Sequence, residues 1–306
     1  MTGTEKSPAL AAELCCCFPV PIAFLYFIIA QAQGKRKGGP QKCCRAAAIL
    51  TPAPSYFTMN TKGVFTMSRD SIKMVAMLTM LINHIANVFL PAGQPLTNLC
   101  LCIGYFTAVT MCFFLVEGYG CTRSKRRYAG RLLGFAVLAQ LPYQLAFPAN
   151  GIAGFVQFNM LFTLLLCFLV LLVQEKIQDR VLRGVCIVLL LCASLFCDWA
   201  LLAPVFTLLF AWAENSRLRK HVAFGVAAVL YGGMAWLSSM RTLGAVGALP
   251  DTLGCAMPIL VSGFFILYLY NGQRAAQHRG FYKWFFYAFY PGHLLVLGLL
   301  RVALLG

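Results

Sequence analysis

From residue 72 onward the chain is a succession of long apolar stretches separated by short polar breaks. A membrane-crossing helix needs about 20 predominantly apolar residues. About nine windows approach that length, at 72–90, 97–117, 131–148, 155–173, 181–197, 199–213, 221–240, 255–270 and 284–305. The fifth and sixth are short and are divided only by Cys197-Asp198-Trp199, which predicts a hairpin that stops short of the far surface. The breaks alternate in charge. Arg123 to Arg127 follow the second window, Lys176, Arg180 and Arg183 the fourth, Arg217, Arg219 and Lys220 the sixth, and Arg274, Arg279 and Lys283 the eighth. The intervening loops 91–96, 149–154 and 241–254 hold one Arg and one Asp between them. Positively charged loops stay in the cytoplasm, so the pattern predicts an all-α, polytopic membrane protein of about nine spans. Its N-terminal side lies inside and Gly306 outside.

Composition agrees. Of 306 residues 60% are hydrophobic and 11% charged, and mean hydropathy is +0.76, whereas a soluble domain carries about 25% charged residues. The net charge of +16 lies in short segments between apolar runs. That distribution serves topology and anionic lipid, not nucleic acid.

Residues 14–30 form an apolar run broken by Pro19 and Pro21, followed by a basic stretch. This run reads as a signal-like segment or as sequence upstream of the true start, with Met59 and Met67 as natural beginnings. The expected organisation is an extension over 1–58 and a transmembrane domain over 59–306. The fourteen cysteines do not suggest a metal. Cys100, Cys102, Cys112, Cys167, Cys186, Cys192 and Cys197 lie in or beside apolar helices, where Cys packs as a small hydrophobe. None has zinc-ligand spacing with a histidine close behind.

Polar residues inside apolar windows carry the candidate chemistry. His84 lies deep in the first, and an ionisable side chain there costs a few kcal/mol and marks function by default. Thr79, Asn83 and Asn87 share its helix face at spacings of three and four, so that helix must face other helices or a wet cavity. The last window holds His293, with Tyr290 one turn earlier and Pro291-Gly292 disturbing the helix between them. His84 is ~16 Å beyond Lys73 and His293 ~15 Å beyond Lys283 along their axes, which brings both histidines to one depth. Glu117 closes the second window and is followed by Arg123, Lys125, Arg126, Arg127 and Arg131. As a topology signal the cluster needs no function. As a site, its guanidinium groups suit phosphate oxygens of a donor. No Walker-type Gly-Lys-Ser/Thr is present.

The segment Ile72-Lys-Met-Val-Ala-Met-Leu-Thr-Met-Leu-Ile-Asn-His-Ile85 resembles the opening helix of the TraX family, named for a membrane protein linked to N-terminal acetylation of conjugative pilin. Phe114-Leu-Val-Glu-Gly-Tyr119, Arg131-Leu-Leu-Gly-Phe-Ala136, Leu141-Pro-Tyr143, Asn159-Met-Leu-Phe-Thr-Leu164, Asp198-Trp199, Tyr270-Asn-Gly272 and Phe285-Phe-Tyr-Ala-Phe-Tyr-Pro-Gly-His-Leu294 follow in the family's order. The resemblance covers residues 68–306. It implies an acyltransferase of the bacterial cytoplasmic membrane that takes acetyl-CoA or another acyl-CoA as donor, with no metal, and an envelope acceptor such as a pilin N-terminus or a glycan. In that scheme His84 is the general base or transient acyl acceptor, with His293 and Tyr290 positioning it or relaying its proton. Arg123, Lys125, Arg126 and Arg127 hold the donor phosphates, and Glu117 contacts the donor or anchors the loop. Asn83, Asn159 and Asp198 serve the acceptor side. The chain departs from the family pattern in three places, where Asn83, Gln140 and Gln144 replace acids. An amide next to His84 hydrogen-bonds but supplies no charge, which makes His84 a less strongly activated base.

Two rival readings use the same residues. Mid-membrane His, Asn and Gln suit a translocation path in a transporter or flippase, although no internal repeat is apparent. Basic loops also suit a scaffold on anionic lipid.

Overall fold

The computed structural model describes residues 57–59, 65–148, 156–275 and 279–305. Among these, strands β1 (Phe57–Met59) and β2 (Phe65–Met67) pair antiparallel, and nine helices follow. They are α1 (Arg69–Phe89), α2 (Pro95–Cys121), α3 (Lys125–Ala146), α4 (Met160–Lys176), α5 (Arg180–Ala193), α6 (Leu202–Ala213), α7 (Arg217–Gly247), α8 (Leu249–Phe264) and α9 (Arg279–Leu305). Each answers to one apolar window. The extension expected over 1–58 lies outside the described residues except for Phe57 and Thr58, which pair with Met67 and Thr66.

Among the described residues, five helices are long and apolar enough to cross a membrane: α1, α2, α7, α8 with the π-turn Phe265–Leu269 that continues it, and α9 over Gly280–Leu305. The fifth and sixth windows give short helices. The 12 residues of α6 extend only ~18 Å against a hydrocarbon core of about 30 Å.

Helix α6 is apolar all round, and Leu202 to Phe210 are all buried, as a helix enclosed by others must be. It packs against α2, α4 and α7. The second central element is α2, buried over most of Phe106–Tyr119; α1 lies along it and α8 crosses it. Helix α9 lies along α3. Glycine allows two close approaches between helices. A Cβ on Gly104 of α2 would meet Asn83 Cβ of α1 at 2.2 Å, and one on Gly298 of α9 would meet Leu145 Cβ of α3 at 2.7 Å. Small residues at such crossings let helices pack without a hydrophobic drive between them.

Most helices start with a polar cap. Ser68, Ser124, Asn159, Asp179 and Ser216 each accept a first-turn backbone N–H, which satisfies donors that would otherwise be orphaned.

The loops gather at two ends. At one, Arg69 N–H donates to Gln273 O (2.8 Å) and Asn271 N–H to Met67 O (3.1 Å). At the same end Arg217 reaches Leu267 O (3.2 Å) and Lys125 pairs with Glu175. At the other, Asp198 N–H donates to Phe158 O (2.8 Å), and Ser239 Oγ donates to Asp251. The loop charges divide the chain into the same two groups.

Candidate active site

The two histidines meet. His84 of α1 and His293 of α9 face each other with Nδ1 and Nε2 2.9 Å apart and rings nearly parallel, 5.1 Å between centroids. His293 Nδ1 lies 2.7 Å from Phe289 O, one turn back on its own helix. A carbonyl only accepts, so that nitrogen carries the proton. With both rings neutral, His293 Nε2 accepts from His84 Nδ1–H, and His84 Nε2 is left with its lone pair. Phe289 stacks on His293 (4.9 Å), and Phe147 places its edge against His84 (5.3 Å). His293 is buried behind the pair, and His84 lines a cavity of about 1550 Å³. The arrangement is that of a base oriented from behind by a second group.

Tyr290 completes this wall. Its ring meets His293 edge-on at 5.7 Å, its hydroxyl accepts Met160 N–H at 3.2 Å, and it lines the cavity. Its position depends on the segment before α4. Gln140 and Gln144 both donate to Gln157 O at 2.9 Å, and Asn159 donates to Ala136 O and Gln140 Oε1 at 2.8 Å each. Asn159 is fully buried, caps α4 and does not line the cavity. It therefore sits behind the cavity wall, bonded to Ala136 O and Gln140. Carboxylates at 140 and 144 could not donate to Gln157 O, so the amides at these two positions form a consistent set.

The polar line on α1 faces α2. Thr79 bonds the Thr107 hydroxyl (2.8 Å), Asn83 donates to Leu101 O (2.9 Å) and Asn87 donates to Asn83 (3.3 Å). Asn83 also borders the cavity, so it stands on the site wall as well as in the helix contact.

The cavity joins ends of opposite charge. Among the described residues, Arg69, Lys73, Arg123, Arg131 and Arg274 line one end with Asp70, and Asp198 and Asp251 line the other. The turn bearing Asp198 is strained. Trp199 (φ +57°) and Leu201 (φ +59°) are non-glycine residues in left-handed conformations. Such strain persists only where surroundings over-determine it. Here Thr163 donates to Asp198 O, and Ser194 Oγ accepts Leu201 N–H at 3.1 Å.

The basic run after α2 does not enter the cavity as a unit. Arg123 lines it; Lys125 is held by Glu175 over the Tyr119 ring (4.3 Å). Arg126 and Arg127 are exposed on the first turn of α3 and do not line it. Adjacent residues on a helix point about 100° apart, so a run of five cannot share one face. Glu117 also lies off the cavity. It accepts the Tyr270 hydroxyl at 2.6 Å and sits 4.0 Å from Arg69 Nε, so it ties Tyr270 to the start of α1, and it is Glu175 that pairs with the basic loop through Lys125. Sequence reading did not single out Arg69, Lys73, Arg274 or Asp251. Asp251 is the one acid of an otherwise acid-free loop group, and Arg69 and Lys73 flank the start of the first apolar window; these were the available signals.

Fold and site together define a helical membrane protein with a histidine pair on a cavity of opposed end charges. Residues 68–301 match the TraX protein family, and the chain belongs to it. It is 34% identical over 238 residues to a probable fimbrial assembly protein FimC, serogroup H1, of Dichelobacter nodosus, covering 75% of this chain and 94% of that one. No solved structure matches.

Proposed function

We propose that this protein transfers an acetyl or similar acyl group from an acyl-CoA to an acceptor of the cell envelope, with His84 as general base. The observation that carries this reading is the His84–His293 pair, which leaves an unprotonated His84 Nε2 on a cavity reached from both ends. His84 Nε2 takes the proton of the acceptor's amine or hydroxyl as that group attacks the thioester carbon. The C–S bond breaks, and His84 returns the proton to the leaving thiolate. His293 stabilises the proton's stay on His84 and keeps the ring turned towards the cavity. Tyr290 closes the wall beside them.

The basic end fits the charged part of the donor. Arg131 Nε is buried there and has no hydrogen-bond partner among the described residues, and Lys73 stands ~16 Å along α1 from His84, a separation an extended pantetheine arm spans. Positive loops at that end support a cytoplasmic position for it, in a multi-pass protein of the bacterial cytoplasmic membrane. The acidic end then opens outward, with Asp198 and Asp251 at the acceptor's mouth. The D. nodosus relative is named for fimbrial assembly, which supports a pilin-like subunit as acceptor over a glycan.

Membranes containing the protein, incubated with acetyl-labelled CoA, are expected to pass label to an envelope peptide. A cavity touching both ends also suits a translocation path. Label that never leaves the donor, with uptake of an envelope precursor that depends on the protein, would favour that reading.

A further inference from the structure

The geometry points to a preformed phosphate-binding cradle built by Arg69, Lys73, Arg131 and Arg274, which recognises the phosphates of a soluble nucleotide-like ligand. It rests on the reading of the basic end as the donor's entrance and assigns that role to residues other than the contiguous basic run.

These four cations come from three separate parts of the chain, α1, α3 and the stretch 271–275, and line the same end of the cavity. Arg69, Arg131 and Arg274 all act electrostatically on the Tyr128 hydroxyl, and Arg69 and Arg274 act on Lys73. Like charges held this close repel one another, and the arrangement is relieved when an anion lies between them. Two carboxylates stand near the four cations: Asp70, which also accepts Ala275 N–H at 2.9 Å, and Glu117, which takes the Tyr270 hydroxyl and lies 4.0 Å from Arg69 Nε; four cations against two acids leave this end net positive.

Lys73 is the most telling member. Its ammonium lies over two ring faces, 5.3 Å from the Phe286 centroid and 5.8 Å from that of Phe114. Aromatic faces hold a cation in place, and Lys73 lines the cavity there. Arg69 is 5% exposed; one terminal nitrogen donates to Phe114 O at 2.9 Å, while its Nε has no hydrogen-bond partner among the described residues. Arg131 stands over the Tyr128 ring at 5.7 Å, and its Nε is unpartnered in the same sense.

Arg274 is brought in by backbone. The stretch 271–275 is strapped to the start of α1 by three bonds: Asn271 N–H to Met67 O (3.1 Å), Arg69 N–H to Gln273 O (2.8 Å) and Ala275 N–H to Asp70 (2.9 Å). Fixing the cations before binding lowers the ordering cost of recognition. Guanidinium forks match phosphate oxygens in pairs, and the ammonium adds a point charge.

Binding can be read without turnover. The protein in phosphatidylcholine nanodiscs is titrated with CoA, inorganic pyrophosphate and pantetheine by calorimetry. CoA and pyrophosphate are expected to bind and pantetheine to bind far more weakly. Lys73→Gln and Arg131→Gln should each weaken CoA binding about tenfold or more, the loss of one charge-assisted contact. The exposed Arg180→Gln should leave it unchanged. Salt should weaken wild-type binding steeply, a check independent of whether a variant folds. Nanodiscs with added phosphatidylglycerol separate the two sources of phosphate. Anionic lipid that co-purifies with the wild type, is lost in both variants and blocks CoA would overturn a soluble ligand in favour of a lipid headgroup. Equal CoA affinity in wild type and both variants would overturn the cradle. CoA binding that follows the cradle without any acyl transfer would leave the cradle standing and remove the acyltransferase reading.

Discussion

His84 Nδ1 and His293 Nε2 are 2.9 Å apart although 209 positions separate them in the chain. Because His293 Nδ1 bonds a carbonyl, the direction of the bond between the two rings follows from the chemistry of Phe289 O. The two histidines therefore have different roles. His84 faces the cavity, and His293 decides which of its nitrogens is free.

That division predicts unequal losses. His293→Ala removes the orienting partner and leaves the base in place, so kcat for acyl transfer should fall with little change in the donor KM. The residual rate should exceed that of His84→Ala. Initial rates at saturating donor check this, and a His293→Ala enzyme as inactive as His84→Ala would show that the two act as one unit.

At Gly104 a methyl group has no room, since it would lie 2.2 Å from Asn83 Cβ. Gly104→Ala should cost about 1–3 kcal/mol as α1 and α2 separate. Thermal unfolding in detergent should show the lowered midpoint.

Asn83→Asp puts an acid beside His84 but loses a donor. The Asn83 amide nitrogen bonds Leu101 O at 2.9 Å, and a carboxylate would set two acceptors face to face. A loss of about 1–3 kcal/mol is expected, and an unchanged unfolding midpoint would contradict this role for the amide.

Glu175 gives a pH signature outside the membrane-spanning helices. Burial alone would raise its carboxyl, but hydrogen bonds from Lys125 and Tyr119 outweigh it and hold the group below its ordinary value. A carboxyl lowered on folding contributes stability that is present above its unfolded-state pKa and is lost as pH falls through the lowered folded value. Glu175→Gln should therefore lower the unfolding midpoint at neutral pH, with the gap from wild type closing on acidification. A gap independent of pH would contradict it.

Much of this architecture can be read from residue pattern. The apolar windows correspond to the nine helices among the described residues, because burying a helix in lipid or among helices demands apolar length. The line Thr79, Asn83, Asn87 indicates a helix contact, and α2 supplies it. Equal depth places His84 and His293 together. The basic end was not legible, because its cations are scattered over α1, α3 and the 271–275 strap. The contiguous run Arg123 to Arg127 is conspicuous in sequence, yet helical rotation and the Lys125–Glu175 pair leave only Arg123 on the cavity. Asn159 looks like a site residue in an apolar window; its side-chain amide donates to Ala136 O and to Gln140.

Label transfer from acetyl-CoA, compared between membranes holding equal amounts of wild type and His84→Ala, tests the central claim most directly. General-base catalysis contributes about 10²–10⁴-fold, so the wild type should label its acceptor while His84→Ala falls by that factor with insertion intact. Equal labelling by the two would contradict a base at His84 and turn attention to the cavity as a path for transport.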